Sequence, residues 1–572
     1  MDMSNPAEAA RTLSGSAAIP DARGINLFQA DPMARRLFGL YLPQALFGHL
    51  EPHFDRLGGL AGGLLDELAS VADKHPPTLS VRDRRGNDES RILKHPAYVE
   101  LERVAFCDLG LAAMSHRPGV LGWHEPMPPA AKYALTYLLV QAEFGLCCPV
   151  SMTDSLARTL RRYGDPKLVE QVLPLVTATD FDALQQGAMF MTEQGAGSDV
   201  AGTATLADLQ PDGSWQLRGD KWFCSNPDAG FAMVLARSEP QDTHPGLKGV
   251  SLFLLPRHRP DGSANAFRIL RLKDKLGTRS MASGEIRLDG ALAWLVGERG
   301  RGFQHMADMV NNSRLSNGVR AAGLMRRALT EAQHVARNRV AFGRRLIDMP
   351  LMRRQLAKMA MRTEQARTMV FQTAWALERA DRREPNAAAL ARIMTPLIKF
   401  RACRDARGVT GDAMEVRGGC GYIEEWSDAR LLRDAHLGSI WEGTSNIVAL
   451  DVLRAIRRDG ALPALRERVT HLLAEGEPAA PDTAELQART IARAFELAEQ
   501  AAADDRADLA RQVASGLYHA TTLAGLRWEA RQAGLPQRAE LAVQVLRHRL
   551  AVRDPLAADV EPTAQTRLPD GD

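Results

Sequence analysis

The hydrophobic period of this chain changes twice, and no one-layer fold accommodates that. Over 26–179 apolar residues recur at helical steps, as in Leu60, Leu64, Leu65 and Leu68, or Leu101, Val104 and Leu109. Over 186–295 the chain reads instead as short strands. The stretches 203–209 and 214–217 flank the turn Pro211-Asp212-Gly213, 231–236 and 250–255 are apolar runs of strand length, and 285–289 alternates. From Gly302 helices resume, with Ala321, Met325, Ala328, Ala332 and Val335 on one face. This order predicts an α+β arrangement of separate domains. They are an N-terminal helical domain (26–185), a central β-domain (186–298) and a C-terminal helical bundle carrying a site loop (299–458). Pro463 and the Gly/Pro-containing 475–481 mark a break, after which helical patterns over 485–523 and 537–550 make an additional helical domain, 459–553. Residues 1–25 and 554–572 are predicted to be disordered, and 76–88 an exposed charged loop.

A chain of 572 residues exceeds what one core usually serves, which agrees with several domains. The net charge of +3 excludes a protein whose whole surface attracts nucleic acid, while leaving room for a local patch. No apolar run approaches the ~20 residues of a membrane span. The start Met1-Asp-Met-Ser-Asn-Pro lacks a basic, then apolar, leader, so a cytoplasmic location is expected. The six cysteines read as free buried thiols. Cys147 and Cys148 are adjacent rather than at metal spacing, and no metal site is expected.

The stretch 434–454 is the chemical centre. Trp441-Glu442-Gly443-Thr444 puts a carboxylate beside a ring that can shield it, ahead of a glycine that allows a sharp turn. Thr444 and Ser445 are expected to cap the helix suggested by Ile447, Leu450 and Leu453. A carboxylate just before a helix N-terminus is a candidate general base; the competing reading is an acidic residue in an ordinary capped loop. Gly195 and Gly197 in Met191–Asp199 keep the backbone open, so that amides can face an anion or a ring edge. Trp222-Phe223-Cys224-Ser225 lies on a strand candidate, where an aromatic is as often core as site. In Arg339-Val-Ala-Phe342-Gly343 the guanidinium suits a diphosphate.

Met191–Asp199, Arg339–Gly343, Gly418-Gly419-Cys-Gly421-Tyr422 and the 434–454 stretch, four motifs in order, resemble the acyl-CoA dehydrogenase family. Arg271–Ser280, Cys148–Thr153 and Pro350–Arg353 resemble its AidB-like, alkylation-response branch. The resemblance implies that family's fold, with a C-terminal four-helix bundle, FAD as cofactor and an acyl-CoA substrate. It also implies electron-transfer flavoprotein or oxygen as acceptor and a homotetramer. It makes Glu442 the base that takes the α-proton while flavin N5 accepts hydride, and makes the Glu442 N–H a donor to the thioester carbonyl. For the flavin it implies Met191, Thr192, Gly197, Ser198, Trp222, Phe223, Cys224, Ser225, Arg339, Phe342, Gly418, Gly419, Gly421, Trp441, Thr444 and Asn446. For the substrate it implies Ser198, Arg314 and Trp441. The second family position for a catalytic Glu is Ser313, which cannot be a base, so its replacement is expected to change little. Pro350 stands where many members carry an adenosine-binding Gln, and Glu193 reads as structural.

The alternative is an AidB-like flavoprotein that binds duplex DNA and has weak or vestigial dehydrogenase activity. Arg454, Arg457 and Arg458, with Arg466 and Arg468 beyond, would be the phosphate contacts. Against it, sixteen arginines and no lysine face eighteen acidic residues from Val452 onward. An assembly surface is the third reading of the added domain.

Overall fold

The computed structural model describes residues 19–554 and 556. Helices α1 (Pro32–Tyr41), α2 (Gln44–Gly62), α3 (Leu64–Lys74), α4 (Pro96–Arg103), α5 (Pro129–Leu139), α6 (Cys147–Tyr163) and α7 (Pro166–Val176) form the first domain. Four of them begin with proline, whose fixed φ and missing N–H suit a first helical turn. The expectation of disorder up to residue 25 is corrected at its inner end. Ala22 is buried, Gly24 N–H donates to Gly62 O, and Pro20 O accepts from Arg417. The remainder of that stretch, and most of 554–572, lies outside the described residues.

The expected loop at 76–88 is also corrected. It belongs to an antiparallel hairpin of β1 (Thr78–Arg82) and β2 (Asp88–Leu93). The hairpin docks on the β-domain: Arg257 donates to Ser90 O at 2.9 Å, and Ser90 Oγ accepts from Ile269 N–H at 3.2 Å. These partners are about 170 residues away in sequence, beyond the reach of local pattern.

The β-domain holds β3 (Gly187–Phe190), β4 (Leu206–Leu209), β5 (Trp215–Ser225), β6 (Phe231–Arg237), β7 (Val250–Pro256), β8 (Phe267–Leu272) and β9 (Ser283–Leu295). The order β3-β6-β4-β5-β9-β7, with β7 also paired to β6, closes the sheet on itself, and β8 adds to β9. Trp215, Leu217, Val234, Phe253, Ile286 and Leu288 fill its interior. The β5–β9 register shifts between Lys221 and Cys224, and at this bulge Phe223 takes φ +54°.

The bundle is built on three long helices, α8 (Gly302–Asn338), α9 (Pro350–Asp381) and α10 (Ala387–Arg417), followed by α11 (Ser427–Gly438) and α12 (Ser445–Asp459). Beyond it come α13 (Ala461–Ala474), α14 (Pro481–Ala503), α15 (Ala510–Gln532) and α16 (Pro536–Val545). The helical pattern over 485–523 is carried by two helices, parted at 504–509 where Asp505 takes φ +52°. Val513, Leu517, Ala520 and Leu523 of α15 are wholly buried against the bundle.

A buried ionic network joins three of the domains. Arg538 of α16 pairs with Glu364 of α9 at 2.7 Å and with Glu529 of α15 at 2.5 Å. Arg367 pairs with Glu364 at 2.5 Å and with Asp31, the N-cap of α1, at 2.6 Å. Glu529 also accepts from Tyr41 and Thr368. Charges with so little access to water persist only when paired this fully.

Candidate functional site

Glu442 sits in the turn between α11 and α12 with φ +54°, a left-handed conformation uncommon for a glutamate. Three features fix it there. Gly443 follows at φ +101° and is packed so closely that an added Cβ would lie 3.2 Å from Ile447 and Val448. Arg314 Nε donates to the Glu442 carbonyl at 3.1 Å, and Lys399 Nζ to the Gly443 carbonyl at 2.5 Å. The carboxylate itself accepts from Ser313 Oγ and from Asn317 Nδ2, one turn apart on α8. Burial pulls Lys399 down to about 8. Among the described residues no backbone carbonyl accepts from the Glu442 N–H, which leaves it available to a ligand. Trp441 is half-buried and stacks on Phe144 at 6.0 Å.

Several expected roles change. Arg314 is buried and held by Asp451 at 2.7 Å and by the Glu442 carbonyl, so it orients the loop rather than facing a substrate. Asp451 is fixed in turn by a bidentate Arg392. Ser313 is a direct partner of the carboxylate, contrary to its expected indifference. Thr444 occupies the N-cap position of α12, but its side chain makes no capping bond. Cys224 is 1% exposed in the barrel interior, where burial pushes its thiol up, and it is withdrawn as a cofactor contact. Asn446 is exposed and accepts from Arg511 of α15 at 2.7 Å.

The other expected residues border open space. The bulge in β5 turns Phe223 outward, 61% exposed, with Lys273 Nζ 3.2 Å from the centre of the Trp222 ring. Trp222 N–H donates to Thr192 O at 2.8 Å, tying β5 to the Met191–Asp199 loop. Glu193 is structural: it accepts from Lys221, Thr205 and Ala204 N–H. Gly197, next to exposed Ser198, and Gly419 have nothing within 4 Å of a built Cβ. Gly421 is required for packing, since a Cβ would meet Met414 O at 2.3 Å. Arg339 Nη1 reaches Arg417 O at 3.0 Å beside Gly418, whose φ is +76°. Phe342, at the tip of a two-residue hairpin, is 95% exposed. An outward aromatic, glycines facing open space and an exposed guanidinium form a donor set that fits a flat, phosphorylated cofactor. The fit is good at Phe223, Gly197, Gly419 and Arg339.

The predicted DNA contacts do not assemble into one free basic face. Arg454 pairs with Asp451, Arg457 with Asp505 and Arg466 with Glu499, Arg468 is buried over Trp375, and Arg458 is exposed and joins none of these pairs. Elsewhere a cavity of about 690 Å³ lies between α5, α6 and the end of α9. Its charges are largely paired with one another, Lys132 with Asp154 at 2.7 Å and Arg158 with Asp381. It is distinct from the Glu442 turn. Among the described residues no group of three or more His, Cys, Asp or Glu could hold a metal, and no helix is long and apolar enough to cross a membrane.

Sequence patterns alone missed Asn317 and Lys399. Both lie mid-helix, and only the approach of the 442–443 turn gives them a role.

Known proteins share this order of domains. Residues 188–291 match the middle domain of acyl-CoA dehydrogenases, 300–457 their C-terminal domain, and 18–183 the N-terminal domain of the adaptive response protein AidB. AidB of Escherichia coli is 35% identical over 69% of this chain and 72% of its own. Acyl-CoA dehydrogenase family member 11 of Caenorhabditis elegans is 31% identical over 78% and 73%. The crystal structure of C. elegans ACDH-11 in complex with C11-CoA superposes with a TM-score of 0.85 at 27% identity, covering 94% of both chains. Butyryl-CoA dehydrogenase of Megasphaera elsdenii covers 69% of this chain with a TM-score of 0.57 at 25% identity. On its domain order, its Glu442 turn and these matches, the chain belongs to the acyl-CoA dehydrogenase family.

Proposed function

We propose that the protein is an FAD-dependent acyl-CoA dehydrogenase in which Glu442 removes the α-proton of an acyl thioester. The observation that carries this is the Glu442 carboxylate, held on a left-handed turn by Ser313 and Asn317 while its backbone N–H stays free. An α-proton beside a thioester is only weakly acidic. The Glu442 N–H can stabilise the charge that develops on the thioester oxygen as the same residue's carboxylate takes the proton. Arg314 and Lys399 fix both carbonyls of the turn, so that donor and base keep one geometry. Trp441 and Phe144 close one side of the site to water.

FAD, the cofactor that family membership brings, supplies the hydride acceptor when bound. Met191, Thr192, Ser198, Trp222, Phe223 and Ser225 would hold its ring side, and Arg339 with Gly418, Gly419 and Gly421 its phosphate and adenosine side. The exposed Phe342 tip supports a homotetramer in which this hairpin meets a neighbouring subunit, and electron-transfer flavoprotein or oxygen would reoxidise the enzyme. The ACDH-11 complex with C11-CoA supports an acyl-CoA ligand. Anaerobic mixing of purified holoenzyme with a panel of acyl-CoAs tests the reading. Bleaching of the flavin by at least one thioester is expected; no bleaching by any member would refute it.

A further inference from the structure

Arg320 lies on α8 in line with Ser313 and Asn317, at i+7 and i+3, so the three share one face of the helix. Its guanidinium is fully buried. Nε donates to Ser316 O at 3.3 Å, while Nη1 and Nη2 reach no oxygen or nitrogen acceptor and have the Cys148 thiol, a weak sulfur acceptor, as their polar neighbour. It lies 4.7 Å from the centre of the Trp441 ring and 5.6 Å from that of Phe144. The indole Nε1 of Trp441 is buried without a partner. Thus two donor groups without an oxygen or nitrogen acceptor stand beside the base: the fixed cation of Arg320, about one helical turn along α8 from Asn317, and the indole of Trp441, the residue before Glu442. Ring faces attract a guanidinium but do not satisfy its directed N–H bonds, whereas a carboxylate matches both its charge and its fork. Glu442 is not that carboxylate, because its own oxygens are held by Ser313 and Asn317.

We infer that Arg320 is a specificity-determining residue that selects an acyl group ending in a carboxylate. This rests on the dehydrogenase reading above and names its substrate class. An acyl chain with its α-carbon at Glu442, running along α8, meets the Trp441–Phe144 pair and then Arg320. The half-buried Trp441 ring is the cover that such a chain displaces.

The test compares succinyl-, glutaryl- and adipyl-CoA with methyl-ended butyryl-, valeryl- and hexanoyl-CoA, using full-length holoenzyme. Flavin bleaching gives kcat/KM for the wild type, and perturbation of the flavin spectrum in Glu442→Gln gives binding without turnover. One carboxylate-ended thioester is expected to exceed its methyl-ended homologue by on the order of 10⁴–10⁵-fold, the discrimination typical of a site built for a polar group. Arg320→Met keeps much of the volume and removes a buried cation, so it should fold. It should abolish the preference, and Arg320→Lys should restore part of it. Equal or better use of methyl-ended chains by the wild type would overturn the inference. So would an Arg320→Met variant that slows all thioesters alike, since that marks a supporting role toward the turn. If nothing bleaches the flavin, the dehydrogenase reading fails on its own. Binding to Glu442→Gln then still decides the matter: a carboxylate preference lost in the Arg320→Met double variant supports it, and equal or absent binding overturns it.

Discussion

Replacing Glu442 by Gln isolates the base. The side chain keeps its length, and the turn keeps Arg314 on the Glu442 carbonyl and Lys399 on the Gly443 carbonyl. The new amide presents one acceptor and one donor where there were two acceptors. Ser313 can still donate to the acceptor. Asn317 now donates from Nδ2, but its Oδ1 is buried without a partner, so rotation of its amide by half a turn lets it accept from the new NH₂. The substitution therefore costs little stability, within about 1 kcal/mol, because the flip exchanges the unpartnered Asn317 Oδ1 for an unpartnered Nδ2 and adds no further unmatched group. The chemical loss is large. Positioned general-base catalysis contributes about 10²–10⁴-fold, or roughly 2.7–5.4 kcal/mol of barrier. Stopped-flow anaerobic flavin reduction, with a thioester that bleaches the wild type, should slow by that factor while FAD content and melting temperature hold. Glu442→Asp should lose less rate but more order: Asp tolerates a left-handed φ well yet falls one methylene short of Ser313 and Asn317. Flavin reduction in the Gln variant at the wild-type rate would refute Glu442 as the base and leave an acidic residue in a helix-capping turn.

Ser313→Ala removes one of the two donors on the carboxylate and should slow flavin reduction by roughly tenfold, the worth of one charge-assisted bond at the lower end of its range; an unchanged rate would show that Asn317 alone positions the base. Arg538→Met leaves Glu364 and Glu529 short of a buried cation and should destabilise the fold by about 3–5 kcal/mol, read as earlier thermal release of flavin. Burial, then the Glu143 carboxylate, pushes Asp434 up to about 7, with a bond from Thr278 N–H opposing. Because the folded form holds its proton more tightly than the unfolded chain, this group's contribution is full below about pH 4 and declines, by at most about 1.4 kcal/mol per pH unit, up to about pH 7. Asp434→Asn should therefore flatten the loss of stability between pH 5 and 7 relative to wild type in parallel urea titrations. Arg339→Ala should weaken FAD retention by about 1.5–3 kcal/mol, seen in the flavin-to-protein absorbance ratio after dialysis.

What local pattern can carry was readable. The change of period at 186 and again near 302 marks where the β-domain begins and ends because side chains of strands and helices repeat differently. Glu442 stood out because tryptophan, glutamate and glycine are contiguous there. What pattern could not carry lies in contacts distant along the chain. The 76–88 segment looks like an exposed loop until Ser90 meets Arg257 and Ile269. Cys224 sits among site residues in sequence, but strand alternation turns it into the barrel. Arg314 resembled a substrate contact because nothing in the sequence announces its partner Asp451, 137 residues on. Ser313 was dismissed for lacking basicity, when its role is to donate.

Asn446, in the first turn of α12, is held by Arg511 of α15 at 2.7 Å, and Glu442 lies only four residues before it. The added helices therefore brace the Glu442 turn from behind, through a helix that starts where that turn ends. With Arg538, Arg367 and Asp31 pinning the same helices to the rest of the protein, they have no freedom to swing as a tethered module. A partner on their outer surface would therefore meet a scaffold continuous with the Glu442 turn, and not a separately hinged module.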